Sequence, residues 1–379
     1  MKLNLNSIKY PVSFLKTNLR GWKTDRKIIV FESDDWGSIR MPSKESYSNI
    51  IKAGIPIDKC PFLRNDSFET VEDFHYLFKV LKKFKDKNGK HPVITANYIL
   101  RNPDFKKIKD SNYNNFSSEL FTEHLIKTNK YDNYFNILRQ GIRDGLIKPQ
   151  LHGPFHVNVK YWMEYLNTNS ASTIIAFNNL VYGLSTNVVN EERKSFLATF
   201  DYDCNSDFIN FLEPALIKSI KDFENIFGYK SLSFIAPNYV WDKKIEEVLS
   251  KNNIKLIQSA KHRKRPSISK NSKRHEKIIL GSKNEFGQTY LTRNILFEPS
   301  TSINKIEHMQ ECFNKIHYSF LLNKPAIIST HRLNFMGGLN LKNREENLML
   351  LEELLTNIIR KWPQVEFFSS DDLGNIINN

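Results

Sequence analysis

The sequence predicts an α/β fold with a largely parallel sheet, arranged as one domain over residues 1–379, and three observations support this. Short runs of apolar and β-branched residues end in polar residues. Longer stretches with apolar residues at helical spacing lie between these runs, as in βα units. Hydrophobic residues make up 40% of the 379 residues and charged residues 25%, which is ordinary for a protein that buries a sizeable core.

Seven runs are candidate strands, each four to seven residues long and bounded by polar or turn-forming residues. They are Lys27–Ser33, Pro92–Tyr98, Leu146–Leu151, Leu232–Ala236, Ile254–Gln258, Ala326–Ser329 and Val365–Phe368. The third is the weakest of these, because lysine and proline interrupt its apolar pattern.

The helical stretches follow from apolar periodicity. Val71–Lys85 and Arg344–Arg360 carry apolar residues three and four positions apart and predict amphipathic helices. Residues 158–230 are far longer than an ordinary connection between a strand and a helix. They predict a helical insertion over the mouth of the fold, with helices at Glu191–Phe200 and Asp207–Phe227.

Residues 261–277 read KHRKRPSISKNSKRHEK, which is polar, strongly basic and interrupted by proline. This composition predicts an unstructured basic loop. A solvated loop is one interpretation, and a docking site for an anionic substrate or for lipid headgroups is the other. The whole chain has a net charge of +14 and a pI near 9.4, which favours anionic partners.

The cysteines and the apolar runs indicate the compartment. Cys60, Cys204 and Cys312 are scattered without a Cys-x-x-Cys spacing, so neither a disulfide framework nor a thiolate zinc site is predicted. Residues 1–27 lack the apolar segment of a signal peptide, and no run of about 18 apolar residues occurs. We therefore expect a soluble, cytoplasmic protein, with peripheral contact to the inner membrane face through basic residues as a further expectation.

Two adjacent carboxylates follow the first candidate strand, in the sequence Glu32-Ser33-Asp34-Asp35-Trp36-Gly37. Alternate strand residues face opposite sides, but at a break from strand to loop both carboxylates can converge. One can then bind a metal ion while its neighbour takes a proton from water. A turn with a helix-capping aspartate is the alternative interpretation.

The third candidate strand ends in Gln150-Leu151-His152-Gly153-Pro154-Phe155-His156. Two imidazoles four residues apart can meet one cation if a single helical turn separates them, and proline near the start of that turn is tolerated. Histidine pairs at this spacing also arise by chance. Together with Asp34 and Asp35, the pair predicts a metal site.

Two further strand ends carry polar or aromatic groups. One reads Ala236-Pro237-Asn238-Tyr239-Val240-Trp241, and the other reads Ser329-Thr330-His331. His331 is a candidate acid with a pKa near the working pH, and a histidine bonded to backbone is its alternative. The aromatic rings of Trp36, Tyr239 and Trp241 can face a sugar ring or pack in the core. The segment from Arg293 to Pro299 is predicted to line the same mouth.

In order and spacing, these motifs resemble the polysaccharide deacetylases with a NodB-type domain, over about residues 27–373. Asp34-Asp35 matches the first motif, and His152-x-x-x-His156 matches the second, with Gly153 in place of a hydroxyl residue. The segment 235–239 resembles the third motif without its arginine, and the run ending in His331 resembles the last. Trp36 separates Asp35 from Gly37, where the common pattern has glycine directly after the aspartates.

The resemblance implies a distorted seven-stranded (β/α) barrel and a metal-dependent deacetylase, akin to those of surface-polysaccharide biosynthesis. It implies Asp34 as the catalytic base, His331 as the acid, and a divalent metal, Zn²⁺ first and Co²⁺, Ni²⁺ or Mn²⁺ as alternatives. The implied metal ligands are Asp35, His152 and His156, and the implied substrate-binding residues are Trp36, Pro237, Asn238, Tyr239, Trp241 and Arg293. Asp371 and Asp372 are candidate carboxylate partners for His331.

The expected substrate is an N-acetylated sugar, a lipid-linked glycan or a polysaccharide, and O-deacetylation is chemically adjacent. Three other functions stay open. A noncatalytic glycan-binding or scaffold barrel would fit the missing arginine, and another metal-dependent hydrolase of glycans or acyl groups would use the same site. A nucleic-acid-binding protein would fit the charge. That function gives no reason for Asp34, Asp35, His152 and His156 to lie together. We therefore do not expect nucleic acid as a partner.

Overall fold

A computed structural model describes residues 14–189, 195–202, 207–266 and 275–379. Its strands are β1 Ile28–Trp36, β2 Ile94–Ile99, β3 Arg101–Pro103, β4 Ser118–Leu120, β5 Ile147–Gly153, β6 Ser233–Ile235, β7 Leu256–Ser259, β8 His262–Lys264, β9 His275–Lys277, β10 Thr289–Thr292, β11 Ile295–Leu296, β12 Ala326–His331 and β13 Glu366–Phe368. Its helices are α1 Lys44–Lys52, α2 Pro61–Asn65, α3 Val71–Leu81, α4 Phe105–Asp110, α5 Phe121–Lys127, α6 Tyr131–Arg143, α7 Val159–Asn167, α8 Ala171–Asn178, α9 Phe208–Phe227, α10 Lys243–Lys251, α11 Lys305–Leu321, α12 Leu341–Lys361 and α13 Ser370–Asn378.

The main sheet is parallel and runs in the order β10-β7-β6-β5-β2-β1-β12-β11. β13 pairs with the first residues of β1, on the edge that β2 occupies farther along the strand. All nine residues of β1 are buried, as expected for a central strand covered on both faces. Because the strands are parallel, their carboxyl ends meet at one edge of the curled sheet, where ligands bind in such folds.

The strand count corrects the seven-stranded expectation, since eight strands form the described sheet order. The reason lies in residues 289–296, which divide into β10 and β11. The N–H of Arg293 donates to Ser259 O (2.8 Å), whereas the next N–H, of Asn294, donates to Ile327 O (3.1 Å). The chain therefore stops pairing with β7 and starts pairing with β12 within two residues. We call residues 289–296 the seam, because they connect the two ends of the sheet.

Each of the seven predicted strands coincides with an observed strand, and the helices around them confirm the periodicity argument in part. Val71–Leu81 begins with a capping box between Thr70 and Asp73, and Leu341–Lys361 covers the second predicted helix. The helix predicted from Asp207 is present as α9. The helix expected at Glu191–Phe200 is not present over residues 195–200, which form turns, and residues 190–194 lie outside the described part.

The long segment between β5 and β6 lies against the carboxyl ends of the strands. Tyr182 OH and Ser38 Oγ are 2.7 Å apart, and Thr199 Oγ1 donates to Phe155 O at 2.7 Å. Both partners, Ser38 and Phe155, directly follow the strands that carry the candidate site. The segment thus packs over the end of the sheet where chemistry is expected.

The basic segment 261–277 is only partly described, because residues 267–274 lie outside the described ranges. Its two ends pair as the antiparallel strands β8 and β9, which corrects the expectation of a wholly unstructured loop. The pairing is explained by Glu276, which binds the guanidinium groups of Arg263 and Arg265.

Cys60 and Cys312 are free thiols, and Cys204 lies outside the described residues. Over the described ranges, every helix is too short or too polar to cross a bilayer.

Candidate metal centre and active site

The end of β1 places two aspartates at one site through a local distortion. The pairing of β1 with β2 shifts register between Ser33 and Trp36, and Asp35 has a left-handed backbone with φ of 74°. Such a conformation is uncommon for a residue other than glycine, and it breaks the strict alternation of strand side chains. Both carboxylates consequently lie near His152.

Asp35, His152 and His156 form a buried cluster whose three ligand atoms lie within 4.8 Å of one another. Asp35 Oδ1 is 3.4 Å from His152 Nε2 and 3.1 Å from His156 Nε2. His152 Nδ1 lies 2.9 Å from the carbonyl oxygen of Ile235. Because a carbonyl only accepts, Nδ1 carries a proton, which leaves Nε2, on the side of Asp35, as the nitrogen that can bind a metal.

The donor set fits a divalent cation. Asp35 Oδ1 is buried and has no hydrogen-bond partner among the described residues, although buried polar atoms are nearly always paired. One carboxylate and two neutral imidazoles suit Zn²⁺ and similar first-row metals, and three protein ligands leave a coordination position open. A metal ion would give the unpaired oxygen its partner.

Charges around Asp35 favour its ionised form. Burial would raise the pKa of Asp35, but the guanidinium of Arg40, with a 3.0 Å bond to Oδ2, and the two histidines hold it well below its usual range. Burial lowers the pKa of His156, which keeps its imidazole neutral, as a metal ligand must be. Asp35 can therefore present an anion to a cation at neutral pH.

Asp34 is held by a different arginine. Arg293 Nη1 and Nη2 donate to its two oxygens at 2.6 and 2.7 Å, and Asn97 Nδ2 donates at 2.8 Å. Burial would raise the pKa of Asp34, but Arg293, with smaller contributions from His152 and His331, lowers it to about 2. The carboxylate is thus ionised at neutral pH and fixed in place.

Arg293 itself is buried, with 5% of its surface exposed, and it also donates to Glu32, to Tyr239 OH and to Ser329 Oγ. This placement corrects the expectation that Arg293 lines the mouth as a substrate-binding residue, because its donors are occupied by protein groups. The arginine that fixes Asp34 thus comes from the seam.

His331 lies across the sheet from Asp34, since the two residues are paired in the register of β1 and β12. Its Nδ1 is 2.5 Å from Glu298 Oε2, and its side chain is 25% exposed. Burial would lower the pKa of His331, but the Glu298 carboxylate raises it to about 9. His331 is therefore protonated at neutral pH and is the most exposed of the ionisable groups of this site.

Glu298, and not an aspartate after the last strand, is the partner of His331. Asp371 accepts from Gln150 Nε2 at 2.8 Å, and Asp372 caps the start of α13 through Ser369. Both aspartates are engaged elsewhere, so the expectation that one of them partners His331 is wrong.

The turn after β6 contains two consecutive residues with left-handed backbones, Asn238 (φ 55°) and Tyr239 (φ 54°). Pro237 is buried, Asn238 is exposed and Tyr239 is partly buried. The N–H of Tyr239 is used within the turn, donating to Ala236 O at 3.0 Å. Two successive residues with such backbones are uncommon, and strained turns often lie at functional sites. We therefore treat this turn, whose Asn238 faces solvent, as a candidate part of the site.

Trp36 and Trp241 do not reach the mouth. Both side chains are fully buried; Trp36 stacks on Phe74 at 5.3 Å, and Trp241 Nε1 donates to Glu246 at 2.8 Å. Their placement corrects the expectation that these rings face a sugar, because the core encloses them.

Behind the metal cluster lies a buried ionic network that sequence reasoning missed. Arg332, which is 0% exposed, donates to Asp66 at 2.9 Å and to Glu69, and Arg40 lies 3.4 Å from Asp66. Arg40 also lies over the ring of Phe62, against which His331 packs edge-on. The arginine directly after His331 was the one visible signal of this network. Arg40, Asp66 and Glu69 follow no recognisable motif.

The chain was compared with known proteins by sequence and by structure. No family model and no curated protein matches its sequence. Structures described as polysaccharide deacetylases resemble it, one from Mycobacterium smegmatis (TM-score 0.45, 9% identity, 95% of this chain and 93% of that one) and one from Pseudomonas aeruginosa PAO1 (0.44, 10%, 93% and 91%). The structure titled Puue allantoinase gives a TM-score of 0.43 at 9% identity, over 93% of this chain and 91% of the other. Identities of this size carry no functional information, so the function is argued from the site itself.

Proposed function

We propose that the protein is a metal-dependent hydrolase that removes an acetyl group from an N-acetylated sugar. One observation carries the proposal. A buried Asp-His-His cluster with an unpaired carboxylate oxygen lies beside an ionised aspartate and, across the strand pair, a protonated histidine. Amide hydrolysis needs this combination: a way to activate water, a base and an acid.

Asp35, His152 and His156 would hold the metal ion, with Zn²⁺ as the first candidate and Co²⁺, Ni²⁺ or Mn²⁺ as alternatives. Such an ion lowers the pKa of a water molecule to about 7 and polarises an acyl carbonyl. His152 is kept in the correct tautomer by Ile235 O, and Arg40 holds the second oxygen of Asp35. These contacts orient the ligands before any metal arrives.

Asp34 is the proposed base. Its carboxylate is ionised down to a pH of about 2, and Arg293 and Asn97 fix both its position and its charge. Asp34 would take a proton from the attacking water as the oxygen of that water bonds to the acyl carbon. A carboxylate with so low a pKa is a weak base in water, so its effect here rests on positioning.

His331 is the proposed acid. It would donate its proton to the nitrogen of the sugar as the C–N bond breaks, giving a free amine and acetate. Glu298 keeps His331 protonated at neutral pH, and the partial exposure of the ring leaves it accessible to a ligand. The backbone N–H of Asn238, in the strained turn after β6, is the proposed donor to the oxyanion, an interaction often worth about 3 kcal/mol.

The carbohydrate part of the proposal rests on the order of the sequence motifs. The sugar would be free, lipid-linked or part of a polysaccharide, as in surface-polysaccharide biosynthesis. A noncatalytic barrel that binds glycans would keep the fold but would not need an ionised base opposite a protonated acid.

The test is elemental analysis of the wild-type protein, of His152→Ala and of His75→Ala, whose histidine is exposed on α3. We expect near-stoichiometric metal in the wild type and the control and none in His152→Ala. Acetate release from a panel of N-acetylated sugars and glycans should follow the metal content. Metal without acetate release would reject the substrate class, and no metal in the wild type would overturn the hydrolase.

A further inference from the structure

A small cleft on the outer side of the seam is lined by cations from four separate segments. Its volume is about 30 Å³, and its basic residues are Arg20, Lys261, Lys277 and Lys324. The described lining contains no carboxylate. A space of this size admits a small oxyanion or a few water molecules, but no sugar ring.

The seam contributes a buried hydroxyl to this cleft. Thr292 and Asn294 line it, whereas Arg293 between them points inward to Asp34, as alternation along an extended chain requires. Thr292 is 5% exposed, and its Oγ1 has no hydrogen-bond partner in the described structure. A buried hydroxyl without a partner is costly, and an oxyanion in the cleft would accept its hydrogen bond.

Within the described ranges, no carboxylate pairs with the cations of the cleft. Among the described residues, Lys261 Nζ contacts neutral groups, the hydroxyl of Thr17 at 3.1 Å and the ring of Phe14 at 4.9 Å. Burial, with the nearby charges of Lys315 and Lys277, lowers the pKa of Lys261 to about 8. Lys324 donates to the carbonyl oxygens of Arg20, Gly21 and Trp22, so it adds positive charge while holding the rim in shape.

The sequence around the cleft is mostly basic, and the carboxylate next to Lys277, that of Glu276, already binds Arg263 and Arg265. Residues 1–24 contain five lysines and arginines and no Asp or Glu, and residues 261–275 contain seven and again no Asp or Glu. The residues outside the described ranges here, 1–13 and 267–274, can therefore contribute no carboxylate. The cleft is therefore a site where an anion would meet uncompensated positive charge.

We propose that the cleft formed by Arg20, Lys261, Lys277 and Thr292 binds a phosphate group. These four residues line a space of oxyanion size, and lysine and arginine are the usual phosphate-binding residues. The phosphate would belong to a lipid headgroup or to a free phosphate compound. Leu19 and Leu321, which are 53% and 64% exposed close in sequence to Arg20 and Lys324, favour the headgroup, because exposed leucines beside cations suit an anionic membrane surface.

The experiment compares the full-length wild type with a Lys261→Gln/Lys277→Gln variant. Its matched control is Lys52→Gln/Lys79→Gln, which removes two exposed lysines that do not line the cleft. Binding of inorganic phosphate is measured by calorimetry at constant ionic strength. Binding to phosphatidylcholine vesicles with and without phosphatidylglycerol is measured by co-sedimentation.

We expect the cleft variant to lose affinity about tenfold or more, since each lysine near a charged surface contributes about 1 kcal/mol, while the control keeps it. Loss confined to phosphatidylglycerol vesicles assigns the lipid headgroup, and loss of phosphate binding alone assigns a free phosphate compound. Equal loss in both variants would show an effect of net charge alone, and that result, or no binding of either probe by the wild type, overturns the proposal.

The Thr292→Val variant gives a second test of the phosphate site if the lysine variant fails to fold. Because the hydroxyl has no partner among the described residues, its removal should leave the melting temperature unchanged. Affinity for phosphate should fall about three- to tenfold, the value of one hydrogen bond. Unchanged affinity would contradict the role of Thr292 in the site. The proposal does not depend on the hydrolase function, and the metal content of every variant should equal that of the wild type.

Discussion

The two aspartates at the end of β1 are neighbours in sequence and each binds a buried arginine, but their oxygens differ in how many partners they have. Both oxygens of Asp34 are bound by protein donors, two from Arg293 and one from Asn97. Asp35 has Arg40 on one oxygen, while the other faces two imidazoles without a hydrogen bond. One carboxylate is completed by the protein, and the other is left for a ligand.

This difference separates two ways of using a buried charge. A complete set of donors fixes an anion and lowers its pKa, which suits a group that acts by position. An incomplete set leaves a site where a cation gains free energy by binding. The left-handed backbone of Asp35 is what allows adjacent residues to take these two roles.

The largest expected effect comes from exchanging each carboxylate for an amide. Asp35→Asn should lose both metal and activity. Asp34→Asn should keep the metal and lower kcat about 10³-fold, within the range usual for loss of a general base. Elemental analysis and acetate release, with melting curves to confirm folding, distinguish the two. If Asp34→Asn lost as much metal as Asp35→Asn, the two aspartates would not have separate roles.

A second effect is on stability. Arg293→Met leaves Asp34 and Glu32 buried without their cation, so the free energy of unfolding should fall by about 3 to 5 kcal/mol at pH 7. Chemical denaturation measures this change. The control Arg64→Met, at an exposed arginine of α2, should change it by less than about 0.5 kcal/mol. A small loss in Arg293→Met would mean that Asp34 does not depend on this arginine for its charge.

The smallest expected effect concerns the pH dependence of kcat. Glu298 raises the pKa of His331 to about 9, whereas the pKa of Asp34 is lowered. If the protonated form is the acid, kcat should fall as pH rises through about 9. Glu298→Gln removes the carboxylate, so this alkaline limb should move to lower pH, while Glu285→Gln at an exposed site leaves it in place. The measurement is kcat against pH. An unmoved limb would assign it to another group.

The raised pKa of His331 also contributes to stability with a definite sign. A pKa raised in the folded state stabilises the protein fully below the unfolded value of about 6.5, and the contribution is lost as pH rises through about 9.

Local sequence signals predicted the parts of the site that lie within one motif. The buried strand before Asp34 and the spacing of His152 and His156 were visible because strand ends and ligand spacing are properties of neighbouring residues. The strands could be predicted for the same reason, since apolar runs mark them. The seam could not, because nothing local shows that residues 289–296 pair first with one strand and then with another.

Contacts between distant residues account for the remaining corrections. Glu298 meets His331 through the approach of β11 to β12, whereas Asp371 and Asp372 only follow a strand in sequence. Trp36 was placed at the mouth because of its neighbours in sequence, but a large ring stabilises the fold most when the core encloses it. The burial of Arg293 could not be predicted from its neighbours in sequence, because its contact with Asp34 depends on closure of the sheet.

The seam also makes the low pKa of Asp34 a late property of folding. Arg293 reaches Asp34 only when residues 289–296 have joined β7 to β12, and these residues are about 260 positions from Asp34 in the chain. In a partly folded chain with the seam open, Asp34 lacks its strongest counter-charge. If Asp34 is the base, activity should consequently appear in a single step, together with the last long-range contacts, rather than grow gradually as the domain compacts.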